Sequence, residues 1–469
     1  MAYQHYDRLT ALDSSFLDLE SPGVHMHVGS VGIFDPGPLL GPEKQLDFDA
    51  LTKAVWAGLR RAPRFRQRLA TTPLTGHPVW VDDEHFNLVY HVRHTALPLP
   101  GDERRLKRLV GRLMSQKLDR AKPLWELWFV EGLEGGRMAV ISKVHHCLID
   151  GISGVDLLGA FMGRDPEYRL ESSEPPERWL PRPGPGGARL LVDDVWRRAT
   201  APARGASLLR RALGEPRESL ESAGHAASGF LGALSRTARP ASETPFNVPI
   251  GPHRRFDWTH CEFGALRELR ARFGGTLNDV VLACVAGAAR QFLSDRGVRV
   301  SDLDFRAFVP VSTRSAEQRG QLGNRVSMLV AALPLDEADP RKRLERIVAE
   351  TERIKASGQV EGSAALEEIS DWTSAALLTA MARLAGSRRA YNLVVTNVPG
   401  PQFPVYLNGA RMLESYPLVP LFENNALGIA LFSYDDRIFW GFNSDWEALP
   451  DVHDFVCGID REFERLREA

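Results

Sequence analysis

The sequence MAVISKVHHCLIDGISG, residues 138–154, joins an apolar run to two adjacent histidines and a glycine-containing turn. The apolar residues predict a short, largely buried β-strand that ends at His145 and His146. Because successive strand residues face opposite sides, one imidazole can point into a cleft while the other packs behind it. Asp150 and Gly151 follow in a turn, and a helix is predicted directly afterwards. An imidazole titrates near neutral pH, so this strand end is a candidate site of proton transfer.

Length and composition indicate an ordinary globular protein with room for two or three domains. The chain has 469 residues, of which 43% are hydrophobic and 25% are charged. A net charge of −2 gives no argument for a nucleic-acid partner. The four cysteines are scattered without a CxxC pair, which predicts neither a disulfide framework nor a zinc knuckle and favours a reducing, intracellular setting.

Targeting and membrane-spanning signals are missing from the sequence pattern. The first residues, MAYQHYDRLT, lack the basic and apolar regions of a signal peptide. The longest apolar run, Val280–Ala289, is about half of the roughly 20 residues needed to cross a bilayer. We therefore expect a cytoplasmic protein that is soluble or peripheral to a membrane.

Three local patterns in the first half carry structural predictions. His25 and His27 share one face of a predicted strand, where a metal site is a minor alternative to a strand that lines a cleft. Residues Phe48–Leu69 predict one amphipathic helix with a basic end. Pro123 predicts a break before a strand that begins at Trp125.

Residues 166–245 change in character and predict a linker rich in Pro, Gly and Arg. Within it, Ala188–Thr200 and Ser207–Leu213 have the pattern of basic amphipathic helices. Such helices can lie at a lipid surface or bridge two domains, and the sequence leaves both alternatives open.

The second half contains a helix start at Thr276. Thr276 is predicted as the N-cap, and Asp279 is placed three residues later, where a carboxylate can bond back to the cap. Capping is the favoured role for Asp279. Asn278 is the better candidate for contact with a substrate.

Taken together, four motifs resemble the bacterial wax ester synthase/diacylglycerol acyltransferase family, within the superfamily of CoA-dependent acyltransferases that carry HHxxxDG. They are the His145–Gly151 motif, the Pro123-Leu124-Trp125 turn, the Asn278-Asp279 pair and the Asn-Val-Pro-Gly-Pro element at 397–401. The resemblance implies an α/β (α+β) fold with two chloramphenicol-acetyltransferase-like domains around a central substrate tunnel. The corresponding division is an N-terminal domain at 1–165, the partly helical linker at 166–245 and a C-terminal domain at 246–469.

The resemblance also implies roles for the site residues. His146 is the general base that removes a proton from an acceptor hydroxyl, and His145 sets the loop and the tautomer of its neighbour. Asp150 is a buried structural carboxylate paired with an arginine, and Gly151 permits close backbone approach. Substrate contacts are expected at Asn278, Asp279, Pro123, Leu124 and Trp125. No metal is expected, because a third ligand at suitable spacing is missing from the sequence pattern.

The implied activity is transfer of a long-chain acyl group from acyl-CoA to a fatty alcohol, to diacylglycerol or to both, with no cofactor beyond acyl-CoA as co-substrate. Peripheral contact with the inner face of the membrane or with lipid inclusions is a further expectation. The alternatives are a condensation-type acyltransferase with a carrier-protein donor and a lipid-surface protein without catalysis. A plant-type alcohol acyltransferase is disfavoured, because its Asp-Phe-Gly-Trp-Gly loop has only Phe439-Trp440-Gly441-Phe442 as a counterpart.

Overall fold

The computed structural model describes residues 6–43, 45–149, 161–170, 179–196, 199–200, 240–312, 326–356 and 389–469. Its helices are α1 (Ala11–Leu19), α2 (Phe48–Leu59), α3 (Leu88–His91), α4 (Glu103–Met114), α5 (His146–Ile149), α6 (187–196), α7 (Phe263–Phe273), α8 (Leu277–Asp295), α9 (Pro340–Ala356) and α10 (Val452–Glu468). Its strands are β1 (Asp7–Arg8), β2 (His27–Phe34), β3 (Gln67–Thr71), β4 (Pro78–Asp82), β5 (Val92–Ala96), β6 (Trp125–Leu133), β7 (Arg137–His145), β8 (Arg254–Glu262), β9 (Phe305–Ser312), β10 (Val326–Leu333), β11 (Leu393–Pro399), β12 (Tyr406–Leu407), β13 (Ala410–Leu418), β14 (Leu427–Tyr434) and β15 (Arg437–Asp445).

The histidine strand, β7, lies inside a six-stranded sheet of order β12-β13-β2-β7-β6-β5. Most of β7 is buried on both faces, which explains the uninterrupted apolar run at 138–141 in place of an alternating pattern. Strand β2 pairs antiparallel with β7 and places His27 directly opposite His145. The sheet thereby fixes the end of β7, where the histidine pair lies.

Strands β12 and β13 come from the C-terminal half of the chain but complete this first sheet, with Tyr416 opposite Val31. The sequential assignment of 246–469 to a separate C-terminal domain therefore does not hold for these two strands. The physical reason is that strand pairing depends on tertiary packing, and the apolar pattern of a strand does not identify its partner.

A second six-stranded sheet has the order β10-β9-β11-β14-β15-β8, and β1, β4 and β3 form a small third sheet. In the second sheet β11 runs parallel to both of its neighbours, while the remaining pairs are antiparallel. Helices α8, α9 and α10 contribute buried side chains to the core that covers this sheet. Among the described residues, no helix has the length and apolar character needed to cross a membrane.

The two large sheets approach closely where β13 and β15 meet. A Cβ atom on Gly441 would collide with the carbonyl oxygen of Pro417, so only glycine fits at this position without a shift of the backbone. The Trp258 and Tyr416 rings stack with centroids 4.8 Å apart across the same region. Nearby, buried Arg254 reaches from β8 to the carbonyl oxygen of Gly23, in the turn that precedes β2. These contacts join the N-terminal and C-terminal halves of the chain. The Arg254 contact lies just before β2, the strand that pairs with the histidine strand β7.

Two predicted boundaries differ from the structure. The helix predicted over Phe48–Leu69 ends at Leu59, because Pro63 opens a 3-10 turn and β3 follows. The strand predicted from His25 begins at His27 instead. The carbonyl oxygen of Met26 accepts a hydrogen bond from the His146 N–H, and the Met26 N–H donates one to the Glu20 side chain. Both backbone groups of Met26 are therefore used outside the strand pairing.

The described part of the linker includes α6, which packs on the small third sheet. Leu190 is buried in a cluster with Val79 and Val81 of β4. Asp194 is buried and binds the Arg8 guanidinium of β1 at 2.8 Å. These contacts attach α6 to the N-terminal part of the molecule, whereas the predicted helix at 207–213 lies outside the described residues.

Candidate active site

The histidine pair spans the junction between β7 and α5. His145, the last residue of β7, is buried, whereas His146, the first residue of α5, is only half-buried. The His146 N–H donates to the carbonyl oxygen of Met26 at 2.7 Å. The Phe16 ring of α1 packs on the His146 imidazole with centroids 4.0 Å apart and a tilt of 33°. The structure thus leaves His146 the more accessible imidazole and restricts both its backbone and its ring.

His145 is held behind this position by contacts on both ring nitrogens. Its Nδ1 accepts the backbone N–H of Cys147 at 3.2 Å. Nε2 lies 3.4 Å from Oε1 of Glu20. The predicted effect of His145 on the tautomer of His146 stays a prediction.

Glu20 is the site residue that the sequence analysis missed. Its side chain is 7% exposed and receives two bonds from Arg120, at 2.8 and 3.2 Å. Oε1 also accepts the Met26 N–H at 3.2 Å. Burial alone raises the pKa of the Glu20 carboxyl, but His145 and Arg120 outweigh it and hold that pKa well below its usual range. An ionised carboxylate therefore lies under the histidine pair.

The acidic residue was missed because its sequence context gives no signal. Glu20 follows α1 in a short Leu-Glu-Ser-Pro segment, and its partner Arg120 is 100 residues away. Only the fold brings them together.

Cys147 lies next to the histidines but is unsuited to be a nucleophile. It is buried, and its Sγ lies 3.0 Å from Nδ1 of His145. Burial, with smaller effects from Asp13 and Glu20, raises the pKa of the thiol well above its ordinary value. The thiol is therefore neutral at pH 7, and the thiolate is the reactive form of cysteine.

We expect Cys147→Ala to retain the acyl transfer from acyl-CoA that the sequence resemblance implies, within about threefold of the wild type, since a buried neutral thiol is a poor nucleophile. The measurement is the initial rate of CoA release, compared at equal concentrations of folded protein. Cys284→Ala, which also removes a buried thiol but in the core of the second sheet, is the matched control. A loss of more than a hundredfold for Cys147→Ala alone, at unchanged thermal stability, would contradict the assignment.

The Pro123-Leu124-Trp125 turn lies immediately beside the end of β7. The Leu124 carbonyl oxygen accepts the N–H of His145 at 3.0 Å. Trp125 donates its indole N–H to the Phe65 carbonyl at 2.7 Å, and its ring stacks on His91 with centroids 4.6 Å apart. Leu124 and Trp125 are both buried. These contacts hold the turn against the end of the histidine strand. Contact of Pro123, Leu124 and Trp125 with a substrate stays a prediction.

Asn278 and Asp279 lie at the first turn of α8, and their contacts fall within the C-terminal half. Asp279 forms the predicted capping box with Thr276 and accepts the Thr351 hydroxyl at 2.8 Å, so its capping role is confirmed. The Asn278 side-chain oxygen accepts a bond from the Asn397 side-chain amide at 2.9 Å. This bond links two of the four motifs, because Asn397 begins the Asn-Val-Pro-Gly-Pro element. Contact of Asn278 with a substrate stays a prediction.

Asp150 and Gly151 lie outside the described residues, so their predicted roles stay predictions.

The positions of the His25 and His27 rings bear on the metal site that was the minor alternative for this pair. Their ring centroids lie 5.5 Å apart, and Nε2 of His27 is within 3.4 Å of the Leu118 N–H. Within the described ranges, no group of three or more His, Cys, Asp or Glu side chains is placed to hold a metal ion.

Two family profiles match this chain. The profile of the wax ester synthase/diacylglycerol acyltransferase catalytic domain matches residues 9–281, which is more than half of the chain. The chain belongs to the wax ester synthase/diacylglycerol acyltransferase family. The profile of the C-terminal domain of the same family matches residues 322–467. The resemblance inferred from the four motifs is thereby confirmed, and the protein is an acyltransferase.

Relatives in this family cover nearly the whole chain. A protein of Mycobacterium tuberculosis named as a probable diacylglycerol O-acyltransferase is 32% identical over 98% of this chain and 96% of its own length. A second protein of that organism with the same description is 33% identical over 99% of both chains. The solved wax ester synthase/diacylglycerol acyltransferase from Marinobacter aquaeolei VT8 is 27% identical, with a TM-score of 0.68 over 98% of this chain and 99% of that one.

The family fold extends to more distant proteins. The first condensation domain of the calcium-dependent antibiotic synthetase aligns with a TM-score of 0.60 at 19% identity, over 99% of this chain and 96% of that chain. At that identity the likeness shows the fold alone. The predicted α/β class with a two-domain arrangement is confirmed, and the substrate tunnel stays a prediction.

Proposed function

We propose that this family member is an O-acyltransferase that moves a long-chain acyl group from acyl-CoA to a fatty alcohol, to diacylglycerol or to both. The observation that carries the proposal is the half-buried His146 imidazole, fixed at the end of β7 by Met26 and Phe16. The diacylglycerol acceptor is supported by the descriptions of the M. tuberculosis relatives. Acyl-CoA enters as co-substrate, and the reaction needs no resident cofactor.

In the proposed mechanism, His146 takes the proton from the acceptor hydroxyl as its oxygen attacks the thioester carbonyl. The new C–O bond gives a tetrahedral oxyanion, which collapses with cleavage of the C–S bond. The imidazolium then returns the proton to the departing thiolate, so the products are an ester and free CoA. Both substrates meet at one base, and an acyl-enzyme is not required. The buried, neutral Cys147 supports this direct route.

The proposed location is the cytoplasm, with peripheral contact at the inner face of the membrane or at lipid inclusions. This location fits an acceptor that is insoluble in water.

The test supplies purified protein with a long-chain acyl-CoA and either hexadecanol or diacylglycerol, and a thiol reagent follows the release of CoA. We expect acceptor-dependent thiol release together with the matching ester product. Release without ester would indicate simple thioester hydrolysis and would contradict the proposal. If no CoA is released, the same assay with an acyl carrier-protein thioester tests the condensation-type donor. Failure with both donors would favour a lipid-surface protein without catalysis.

A further inference from the structure

Helix α6 has an inner face that is fastened to the small third sheet. Its two carboxylates both point inward: Asp193 accepts the Tyr6 hydroxyl at 2.6 Å, and Asp194 accepts bonds at 2.8 Å from Arg8 and from the Thr75 hydroxyl. Together with Leu190, these contacts fix the rotation of α6 about its own axis.

The outer face of α6 is apolar and open to solvent within the described part of the chain. It presents four large side chains: Leu191 is 41% exposed, Val192 65%, Val195 53% and Trp196 68%. Their positions are i, i+1, i+4 and i+5, which places them on one side of a helix. We call these four residues the α6 surface.

The charges around the α6 surface favour a lipid over a polar partner. Arg189 is exposed, whereas both carboxylates of the helix are turned inward and satisfied there. A bilayer with anionic headgroups repels carboxylates and attracts arginine, so this distribution of charge is complementary to it. A tryptophan beside aliphatic side chains is also the combination that settles at the boundary between headgroups and acyl chains.

We propose that the α6 surface docks the protein on the face of an anionic lipid bilayer. The apolar side chains enter the boundary between headgroups and acyl chains, and Arg189 lies at the headgroup level. The inference rests on the proposed function for its purpose, because diacylglycerol dissolves in the bilayer and a docked enzyme meets it there. The anchoring contacts of Asp193, Asp194 and Leu190 hold the outer face toward the lipid.

The experiment measures flotation of the full-length chain with vesicles of phosphatidylcholine and phosphatidylglycerol, and with phosphatidylcholine alone. We expect the double variant Val195→Ser, Trp196→Ser to bind the anionic vesicles about tenfold more weakly than the wild type, because binding scales with the apolar area that is inserted. The matched control is Leu99→Ser, which removes an apolar side chain that is 88% exposed elsewhere in the N-terminal half. Its binding should stay unchanged.

A second readout separates this inference from the proposed activity. The double variant should lose transfer to diacylglycerol presented in vesicles about tenfold. It should keep wild-type transfer to a water-soluble short-chain alcohol, because the contacts described for α6 are with the small third sheet and the Thr75 loop and not with the histidine pair. Undiminished vesicle binding by the double variant, or no binding by the wild type, would overturn the docking proposal. Undiminished binding by the variant would indicate that another segment binds the lipid. Absence of binding by the wild type would indicate that another segment or partner covers the α6 surface. Absence of acyl transfer by a wild type that does bind vesicles would instead contradict the proposed function.

Discussion

Replacing His146 with alanine is expected to lower the rate of acyl transfer by about 10²–10⁴-fold, the range that removal of a general base produces. The ring contacts Phe16 but lies at a half-buried position, so its loss leaves no large internal cavity. The measurement is acceptor-dependent CoA release under saturating acyl-CoA, with circular dichroism and the thermal midpoint to confirm folding.

The matched control for this variant is His85→Ala, which removes an exposed imidazole from the loop after β4. Its rate should equal that of the wild type. His146→Ala with a normal rate would eliminate the proposed base, and an equal loss in both variants would indicate a nonspecific effect.

Replacing Glu20 with glutamine is expected to lower kcat by about 10–100-fold while KM changes little. Glutamine has nearly the same shape and keeps an acceptor for the Met26 N–H, but it removes the charge that faces Nε2 of His145 and the Arg120 guanidinium. Because the Met26 carbonyl and β7 position His146, a small displacement there misplaces the base, and misplacement of about 1 Å can cost about a hundredfold in rate.

The split between kcat and KM distinguishes this positioning role from a loss of folding or of substrate affinity. Glu20→Ala should lower kcat further, because it also removes the acceptor for Met26. Asp18→Asn, a change of the same kind at an exposed carboxylate in α1, should leave both parameters unchanged. A Glu20→Gln variant with wild-type kcat would show that the carboxylate does not act through the histidines.

The same carboxylate also predicts how stability depends on pH. In the folded protein the pKa of Glu20 lies well below its usual range, whereas in the unfolded chain it lies near its ordinary value of about 4.3. The unfolded state therefore binds the extra proton first, and the contribution of Glu20 is full above about pH 5 and declines as the pH falls further. The stability difference between wild type and Glu20→Gln, measured by urea unfolding, should shrink from pH 7 to about pH 4.

Local features of the structure could be predicted where the deciding interactions are close in sequence. The capping box at Thr276 and Asp279 requires only residues three apart, and the end of β7 follows from its apolar run. The pattern over Phe48–Leu69 predicts a longer helix than the structure has, because the basic residues after Pro63 continue the helical pattern, whereas Pro63 opens a 3-10 turn.

Features that depend on distant partners could not be predicted from the residues. Glu20 became part of the site only through His145 and Arg120, which are more than 90 residues away in sequence. Strand β13 lies beside β2 and in close contact with the second sheet at Gly441, and no local pattern in the residues indicates either contact. The roles of His146 and Asn278 came from the family motifs, because spacing alone does not specify which imidazole faces the substrates.

The pairing of β13 with β2 has a consequence for biosynthesis. The strand that covers the free edge of β2 is made nearly 380 residues after β2 itself. Until then the nascent chain carries an unpaired strand edge, which is a surface prone to aggregation. The N-terminal sheet can be completed only after β13 has been made, so a chain that stalls before residue 410 should depend on chaperones to stay soluble.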